Sequence, residues 1–455
     1  MFLPVQLQPE DPSVGKVAIA NMLGGIGYFH EQSEIGYRKN SDHKGMQAEL
    51  FTAVPSKPFF PWGVLWDEGF HQLLIWRWDI RICLDIIGHW LDLINGDGWI
   101  PPQLSMVHKD VARHLTSGNP PSLFLAIRDI HDGMKRNIFS EIERNEIMDF
   151  LEQAFVHLDA WFKWFNTTQS GKQQSSYFWH GRNSTTILQL NPKTLSSGLD
   201  DYPRASHPNQ AERHLDLRCW MFLASSCMHS IAQLFDNYSV PEKEYGSTAN
   251  LLSNFELLNK MHRSKYGAYF DFGKDTEKVS LVWSEDKQEV IRNVSGGLRL
   301  GLVHHIGYVS LFPFMLKILP SDSWILGKQL DFISNRSILW SDYGIRSLAE
   351  TSSLYMKRNT QHDTPYWRGP IWMNMNYMIL SALYHYSKVD GPYRDRARVI
   401  YDGLRDNLIR NVVHNYHKTG FLWEYYDQRN GRGKGARMFT GWTSLVLLIM
   451  AEEYT

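Results

Sequence analysis

The sequence predicts an all-α fold that forms one domain over residues 1–455, and three observations support this. Long segments repeat apolar residues at three- and four-residue steps, as in EGFHQLLIWRWDIRICLDIIGHWLDLI at 68–94, and this spacing is typical of amphipathic helices. The alternation of apolar and polar residues that marks a half-buried strand is scarce. No low-complexity linker or block of like charges divides the 455 residues, a length that a large helical toroid or barrel can fill.

About eleven segments carry the helical pattern, and each is predicted to form a helix of roughly 12–25 residues. Two short pieces, 266–272 and 280–284, are the candidate strands. The predicted helices, in chain order, are 14–32, 68–94, 121–135, 140–165, 212–235, 242–262, 307–319, 322–333, 370–386, 393–416 and 441–453.

The segments between these helices share a composition rich in aromatic residues, Gly or Pro, Arg and a carboxylate. In a toroid of alternating inner and outer helices, every second loop emerges on the same face, so we expect such loops to line one concave site. The loops concerned are KPFFPWGVLWDEG (57–69), INGDGWIPP (94–102), SSYFWHGRNSTT (175–186), SSGLDDYPRASHP (196–208), DTPYWRGPIW (363–372) and KTGFLWEYYDQRNGRGKG (418–435).

Composition excludes several classes of function. The formal net charge is −1, whereas nucleic-acid binding normally requires a basic surplus, so no nucleic-acid partner is predicted. No apolar run reaches about 18 residues, so no membrane span is predicted, and the first residues lack the pattern of a signal peptide. The three cysteines show neither a disulfide framework nor the spacing of a metal site.

The high aromatic content points toward sugars. The chain has 17 Trp, and aromatic residues make up 13% of it. Most aromatic side chains fill cores, but many here stand beside Arg, Gly or a carboxylate in loops. An aromatic ring with polar neighbours suits a neutral sugar, because the ring stacks on the C–H face while the neighbours bind the hydroxyls.

The pair Asp200 and Asp201, with Arg204 close behind, is the first candidate for chemistry. Asp, Ser, Gly and Pro are the residues of turns, so the simpler interpretation of SSGLDDYPRASHP is a solvated turn. Glycosidic-bond cleavage, however, needs one protonated carboxylic acid and a second carboxylate as base or nucleophile. Adjacent carboxylates repel each other and raise the pKa of at least one of them, which favours an acid at this position.

Two other carboxylates are candidates. Glu424 lies between Trp423 and Tyr425, which could partly desolvate it and hold it ready as a base; the alternative is a surface or helix-start glutamate. In WDEG, Asp67 and Glu68 fit the positive end of a helix dipole, although Asp67 could also bind sugar hydroxyls.

The remaining polar residues either have structural roles or have roles that the sequence leaves undecided. Arg204 and Arg368 are either ion-pair partners or donors to sugar hydroxyls. GRGKG at 431–435 lacks the spacing and preceding strand of a phosphate loop. No metal and no cofactor are predicted, because the histidines show no ligand spacing; these are His71, His89, His207 and His214.

Several long motifs, in order from about residue 15 to the C-terminus, resemble the catalytic domain of glycoside hydrolase family 63, the mannosyl-oligosaccharide glucosidases or processing glucosidase I. The motifs are ANMLGGIGYFHEQS, FFPWGVLWDEGFHQ, SGLDDYPRASHP, ERHLDLRCW, YWRGPIWMNMNY and GFLWEYYDQRNGRGKG with FTGWTSLVLLIMAEEY.

This resemblance implies an (α/α)6 toroid that releases the terminal α-1,2-linked glucose from the triglucosylated precursor of N-linked glycans, with inversion. It implies Asp200 as general acid and Glu424 as general base. The partner would be a glucosylated high-mannose oligosaccharide on glycoproteins, and the location would be the lumen of the endoplasmic reticulum. The substrate-binding residues it implies, together with the neighbours of the two carboxylates, are Trp66, Asp67, Arg204, Tyr366, Trp367, Arg368 and Trp423.

Two departures from the family pattern bear on function. The family usually has arginine where this chain has Trp62, so we expect weaker substrate binding or altered specificity. We also expect this chain to lack the family's N-terminal β-sandwich and membrane anchor. Three alternatives remain: a toroidal glycosidase for another glucoside or mannoside, a glycan-binding protein without turnover, and a toroid of the terpene-cyclase type, for which LDDYP is a poor metal motif.

Overall fold

The computed structural model describes residues 12–33, 46–104 and 117–454, and these residues are mainly helical. The helices are α1 (Pro12–Gly24), α2 (Leu65–Trp78), α3 (Ile80–Asp92), α4 (Leu123–Lys135), α5 (Glu141–Thr168), α6 (Leu215–Ala232), α7 (Ser239–Leu252), α8 (Phe255–His262), α9 (Phe312–Met315), α10 (Trp324–Ser334), α11 (Met373–Tyr386), α12 (Arg394–Thr419) and α13 (Val446–Met450).

In the described part of the chain, six helical segments form a closed inner ring. Helix α2 packs on α4, α4 on α6, α6 on α9, and α9 on α11. Helix α11 then packs on the 3₁₀ turn Trp442–Leu445, which leads into α13 and also contacts α2. Since the last segment returns to the first, the ring is complete.

The remaining helices lie outside this ring and alternate with it along the chain. Helix α1 packs on α2 and α13, α3 on α2 and α5, α5 on α6, α7 on α6, and α12 on α11 and α13, while α10 packs on α12. Inner helices are buried on nearly every side, whereas outer α3 has a single apolar face, as the two positions require. The fold is therefore an (α/α)6 toroid, and this prediction is confirmed.

Two of the predicted helices are each divided in two. Segment 68–94 breaks at Asp79, whose side chain accepts a hydrogen bond from the N–H of Arg81 at 2.9 Å. Segment 242–262 breaks at Asn254, whose side chain accepts one from Leu257 at 2.8 Å. Both residues are N-caps, which start a new helix by satisfying its free N–H groups.

The prediction of a helix over 14–32 is wrong beyond Gly24. After Gly25 the chain forms strand β1 (Ile26–Ser33), which pairs antiparallel with β2 (Met46–Ala53). Two consecutive glycines, poor helix formers, end α1, and cross-strand pairing then determines the conformation. The helix predicted over 307–319 is also much shorter: a 3₁₀ turn, Val309–Leu311, precedes the four residues of α9, and the positive φ of 61° at Lys317 prevents its continuation.

The strands form six separate two-stranded sheets in the described ranges. The predicted strand 280–284 is confirmed, but the one predicted over 266–272 begins only at its last residue. The other strands are β3 (Gly63–Val64), β4 (Gln103–Leu104), β5 (Phe272–Asp275), β6 (Val279–Ser284), β7 (Glu289–Val294), β8 (Arg299–Leu302), β9 (Trp340–Ser341), β10 (Gly344–Ile345), β11 (Trp423–Tyr426) and β12 (Gly433–Arg437). No helix in the described ranges is long and apolar enough to cross a membrane.

Candidate active site

A cavity of about 520 Å³ lies where the loops that lead into the inner helices meet. Trp66 and Asp67 enter it from the first turn of α2, Asp200 from the loop before α6, and Glu424 from the hairpin before α13. The expectation that loops of one parity share a site is therefore met. The lining comprises Pro55, Phe60, Trp62, Val64, Trp66, Asp67, Trp99, Pro102, Gln103, Ser117, Gly118, Asn119, His180, Gly181, Leu195, Ser196, Gly198, Asp200, Tyr366, Trp367, Glu424, Phe439 and Trp442.

A tight turn presents Asp200 to the cavity. The backbone carbonyl of Asp200 accepts a hydrogen bond from the N–H of Thr194 at 2.8 Å, which folds the intervening residues into a turn. Gly198 adopts a φ of +71°, and a Cβ there would come within 2.8 Å of the Trp66 indole. Glycine is thus required both by its conformation and by the close approach of a cavity wall residue.

Burial raises the pKa of Asp200 to about 7, and the negative charges of Asp201 and Glu424 add to this effect, while Lys193 opposes it. An acid with this pKa is about half protonated at neutral pH, which suits a group that must both hold and give up a proton. The turn predicted from the sequence is confirmed, but it is not a solvated one.

Asp201 faces away from solvent and is 4% exposed. Its carboxylate accepts hydrogen bonds from the backbone N–H groups of Tyr366 at 3.1 Å and Trp367 at 2.6 Å. The guanidinium of Arg368 lies 3.8 Å from the same carboxylate and donates to the Asp201 carbonyl oxygen at 2.7 Å. Asp201 therefore connects the loop of Asp200 to the loop of Tyr366.

Glu424 lies on strand β11 and is 3% exposed, so the alternatives of a surface or helix-start glutamate are wrong. Its carboxylate accepts hydrogen bonds from the Tyr366 hydroxyl and from the N–H of Ala436, the latter at 2.8 Å. Burial raises the pKa of Glu424, and these two hydrogen bonds act in the opposite direction. The two donors favour the ionised form that a general base requires.

Asp67 is the third carboxyl group of the cavity. It is 4% exposed, and burial, with the charges of Glu424 and Glu68, raises its pKa well above the usual value. The helix-start interpretation of WDEG is confirmed, since α2 begins at Leu65. Asp67 nevertheless also lines the cavity, as the sugar-binding interpretation requires.

Stacked aromatic side chains support the cavity wall. Trp367 stacks on Trp372 with ring centroids 3.8 Å apart, and Trp372 stacks on Tyr425 at 4.7 Å. Tyr366 meets the Trp372 ring edge-on at 4.6 Å, and the Trp442 indole donates to the Glu424 carbonyl oxygen at 2.9 Å. This packing fixes the positions of Tyr366 and Glu424.

Three of the predicted substrate-binding residues do not line the cavity. Arg204 is fully buried, and its guanidinium pairs with Asp216 and Asp271. Arg368 is equally buried, and it binds Asp201 and the side-chain carbonyl of Asn359. For both arginines the ion-pair alternative therefore describes the observed contacts, because a fully buried guanidinium whose hydrogen bonds go to protein is not free to bind a sugar.

Trp423 is the third such residue. Its indole donates to the Thr419 hydroxyl at 3.1 Å, and its ring lies against Gly433, where a Cβ would come within 2.1 Å of it. Trp423 therefore lies outside the cavity lining, whereas its neighbour Glu424 is part of it, which the sequence order alone does not reveal.

Several polar and aromatic residues that line the cavity are not among the predicted site residues. Trp99 and His180 lie within loops predicted to face the site, so their segments were identified although the individual residues were not. Asn119 gave no signal, because it stands in a short segment before α4. Phe439 and Trp442 belong to the motif FTGWTSL, but neither is among the predicted site residues, and Trp442 falls within the predicted last helix.

No group of three or more His, Cys, Asp or Glu in the described residues is arranged to hold a metal ion. The three cysteines, Cys83, Cys219 and Cys227, are buried and form no disulfide with one another.

Comparison with known proteins agrees with this geometry. Residues 3–452 match the family described as Glycosyl hydrolase family 63 C-terminal domain. A mannosyl-oligosaccharide glucosidase of Arabidopsis thaliana is 63% identical over 98% of this chain and 55% of its own length. Alpha-glucosidase 2 of the same plant is 58% identical over 99% of this chain and 60% of its own length. The chain thus spans little more than half the length of these curated relatives.

Solved structures share the fold at low sequence identity. The GH63 mannosylglycerate hydrolase of Thermus thermophilus is 14% identical and aligns with a TM-score of 0.62. The alignment covers 95% of this chain and 99% of the hydrolase. Neutral trehalase of Saccharomyces cerevisiae is 12% identical and aligns with a TM-score of 0.60. The alignment covers 100% of this chain and 81% of the trehalase. The family predicted from the motifs is confirmed, and the chain belongs to glycosyl hydrolase family 63.

Proposed function

We propose that this protein is an inverting exo-α-glucosidase that removes the terminal α-1,2-linked glucose from the triglucosylated N-glycan precursor. Asp200 is the general acid and Glu424 is the general base. The observation that carries the proposal is that these two carboxyl groups, 224 positions apart in the sequence, line one cavity with different hydrogen-bond environments. Glu424 accepts two hydrogen bonds, whereas the negative charges of Asp201 and Glu424 act on Asp200 and raise its pKa.

The reaction follows from these environments. Asp200 gives its proton to the glycosidic oxygen as the bond from this oxygen to the anomeric carbon breaks. Glu424 takes a proton from a water molecule whose oxygen bonds to the anomeric carbon from the opposite face. The products are β-glucose and the shortened oligosaccharide. Afterwards Asp200 is ionised and Glu424 is protonated, so a proton must return from Glu424 to Asp200 through solvent.

The proposed substrate rests on likeness and on the cavity wall. Relatives from Arabidopsis thaliana and from two yeasts carry the name mannosyl-oligosaccharide glucosidase. The cavity offers Trp66 and Trp367 for stacking on a sugar and Asp67 for its hydroxyl groups. A glucosylated high-mannose oligosaccharide on glycoproteins is accordingly the proposed partner, and the lumen of the endoplasmic reticulum is the proposed location.

Glucose release from an oligosaccharide that ends in α-1,2-linked glucose tests this function. The purified chain should liberate glucose, and the Asp200→Asn variant, folded to the same extent by circular dichroism, should not. Mannosylglycerate is the informative second substrate because a solved relative is named for it. Hydrolysis of mannosylglycerate alone, or sugar binding without turnover of either substrate, would contradict the proposal and support one of the alternatives.

A further inference from the structure

We infer that Asp201 is a positioning residue that joins the loop of the acid to the residue that supports the base. This inference rests on the proposed function of Asp200 and Glu424. Asp201 does not line the cavity, so it acts only through its neighbours. Nothing in the motif SGLDD itself distinguishes such a role from that of a second catalytic carboxylate.

The first step is the connection between the two loops. Both carboxylate oxygens of Asp201 accept backbone N–H groups, one from Tyr366 and one from Trp367, across 165 and 166 residues of sequence. Hydrogen bonds to an ionised acceptor are roughly twice as strong as those between neutral groups. Because Asp200 is the adjacent residue, any movement of the Tyr366 loop is transmitted to the backbone of the acid.

The second step is the connection from Tyr366 to the base. The backbone of Tyr366 is bound by Asp201, and its hydroxyl donates to the carboxylate of Glu424. Its ring is confined by Trp372 and Tyr425, with centroids 4.6 and 5.2 Å away. Asp201 therefore fixes the residue that places a donor on the base, and the acid and the base are held by one connected set of contacts.

The third step concerns charge. The charged groups that act on Asp200 are Asp201 and Glu424, which raise its pKa, and Lys193, which lowers it. Lys193 lies 2.7 Å from Asp363, which reduces the effect of its charge. Asp201 thus assists the acid in two ways: its hydrogen bonds place the loop, and its negative charge helps to keep the proton on Asp200.

Glu424 interacts with several other titratable groups. Tyr366 donates to its carboxylate, and the charge of Glu424 in turn raises the pKa values of Asp67, Tyr366 and Tyr425. Among these groups, Tyr366 also donates a hydrogen bond to Asp201 through its backbone N–H. The effect of Asp201 on the base should therefore pass through Tyr366.

The pH dependence of kcat/KM for wild type, Asp201→Asn, Tyr366→Phe and the double variant tests this inference. In Asp201→Asn, the alkaline limb, which reports Asp200, should move to lower pH, and kcat should fall at least tenfold with a smaller change in KM. In Tyr366→Phe the acidic limb, which reports Glu424, should move to higher pH because the base loses a donor. The double variant should show no further shift of the acidic limb.

Asp271→Asn is the matched control. Asp271 is also a buried carboxylate that accepts a backbone N–H, from Leu215 at 2.8 Å, and binds an arginine, Arg204. It does not line the cavity, so its substitution should lower thermal stability and leave both pH limbs in place. If Asp201→Asn behaves in the same way, Asp201 is merely structural and the inference is wrong.

A second readout does not depend on turnover. Carbon-13 labelling of glutamate side chains allows the Glu424 carboxyl to be titrated by NMR, with Glu424→Gln to assign its signal. The inference predicts that Tyr366→Phe and Asp201→Asn each raise its pKa, and an unchanged titration in both variants would contradict it. Inactive wild-type protein with these titration shifts would contradict the proposed function but not the connection between Asp201 and Glu424.

Discussion

The carboxyl groups of Asp200 and Asp201 occupy different environments although the residues are adjacent. Asp200 lines the cavity and is close to Glu424, whereas Asp201 is bound by two backbone N–H groups of another loop. Burial, together with the negative charges of Asp201 and Glu424, raises the pKa of Asp200 to about 7, and Asp200 is the one of the two that faces the cavity. This difference supports Asp200, rather than Asp201, as the proton donor.

Substrates with different leaving groups should separate the roles proposed for Asp200 and Glu424. Asp200→Asn should lower the hydrolysis of the oligosaccharide by roughly 10²–10⁴-fold but should retain much more activity on α-glucosyl fluoride, because fluoride leaves with little proton assistance. Glu424→Gln should lose activity on both substrates, since each needs an activated water. Equal losses on both substrates for Asp200→Asn would show that Asp200 is not the acid.

The pKa of Asp200 predicts a pH effect on stability as well as on rate. Its pKa is about 7 in the folded protein and about 3.9 in an unfolded chain, so the folded state binds this proton more tightly. The resulting contribution to stability is complete below pH about 4 and is lost as the pH rises to about 7. Asp200→Asn removes this dependence.

The melting temperature of Asp200→Asn should therefore exceed that of wild type by more at pH 8 than at pH 4.5, as differential scanning calorimetry can measure. Asp79→Asn, at the N-cap of α3, where the substitute caps equally well, is the control. A difference between Asp200→Asn and wild type that does not change with pH would mean that Asp200 is ionised throughout this range.

Trp62 should determine how tightly the substrate binds. It lines the cavity and packs edge-on against Phe60 with centroids 6.0 Å apart, and the family resemblance implies arginine at its position. A hydrogen bond to a charged group contributes about 1.5–3 kcal/mol, so Trp62→Arg should lower KM by about tenfold or more. Trp62→Phe, which keeps a ring without a donor, is the control. Kinetic parameters of Trp62→Arg equal to those of wild type would exclude a role in specificity.

Arg204 should stabilise the fold rather than bind sugar. Its removal would leave Asp216 and Asp271 buried without their partner, which typically costs about 3–5 kcal/mol. Arg204→Met should thus strongly lower the free energy of unfolding in urea. Arg81→Met, which breaks an exposed pair with Glu146, should lower it by about 1 kcal/mol or less. A large rise in KM for Arg204→Met at unchanged stability would restore the sugar-binding role.

The family resemblance implies the toroid, whereas helical periodicity predicts its long helices, because these bury apolar residues at regular spacing. Periodicity fails where other contacts determine the conformation. Strand β1 follows Gly25 and exists through its pairing with β2, which local spacing does not encode. Likewise, Asp79 and Asn254 divide long apolar patterns because their side chains accept hydrogen bonds from backbone N–H groups of the next helix. The spacing of apolar residues does not encode these bonds.

The motifs predict the two carboxyl groups proposed as acid and base, but not the surroundings of other residues. Trp423 directly precedes Glu424 and is predicted to bind substrate, yet its indole donates to Thr419 and its ring lies against Gly433, outside the cavity lining. Arg204 follows Asp200 closely in sequence, but its partner Asp271 lies 67 positions away. Such long-range pairs decide whether an arginine is structural or free for a ligand, and a single sequence does not show them.

Proton NMR of the first turnovers tests the central claim most directly. The wild-type protein would be incubated with the α-1,2-linked glucosyl oligosaccharide, and the anomeric signals of the released glucose would be followed before mutarotation equilibrates them. An acid at Asp200 and a base at Glu424 that activates water predict β-glucose as the first product. Initial release of α-glucose would mean net retention and a covalent intermediate, and would contradict the assignment of Glu424 as a general base.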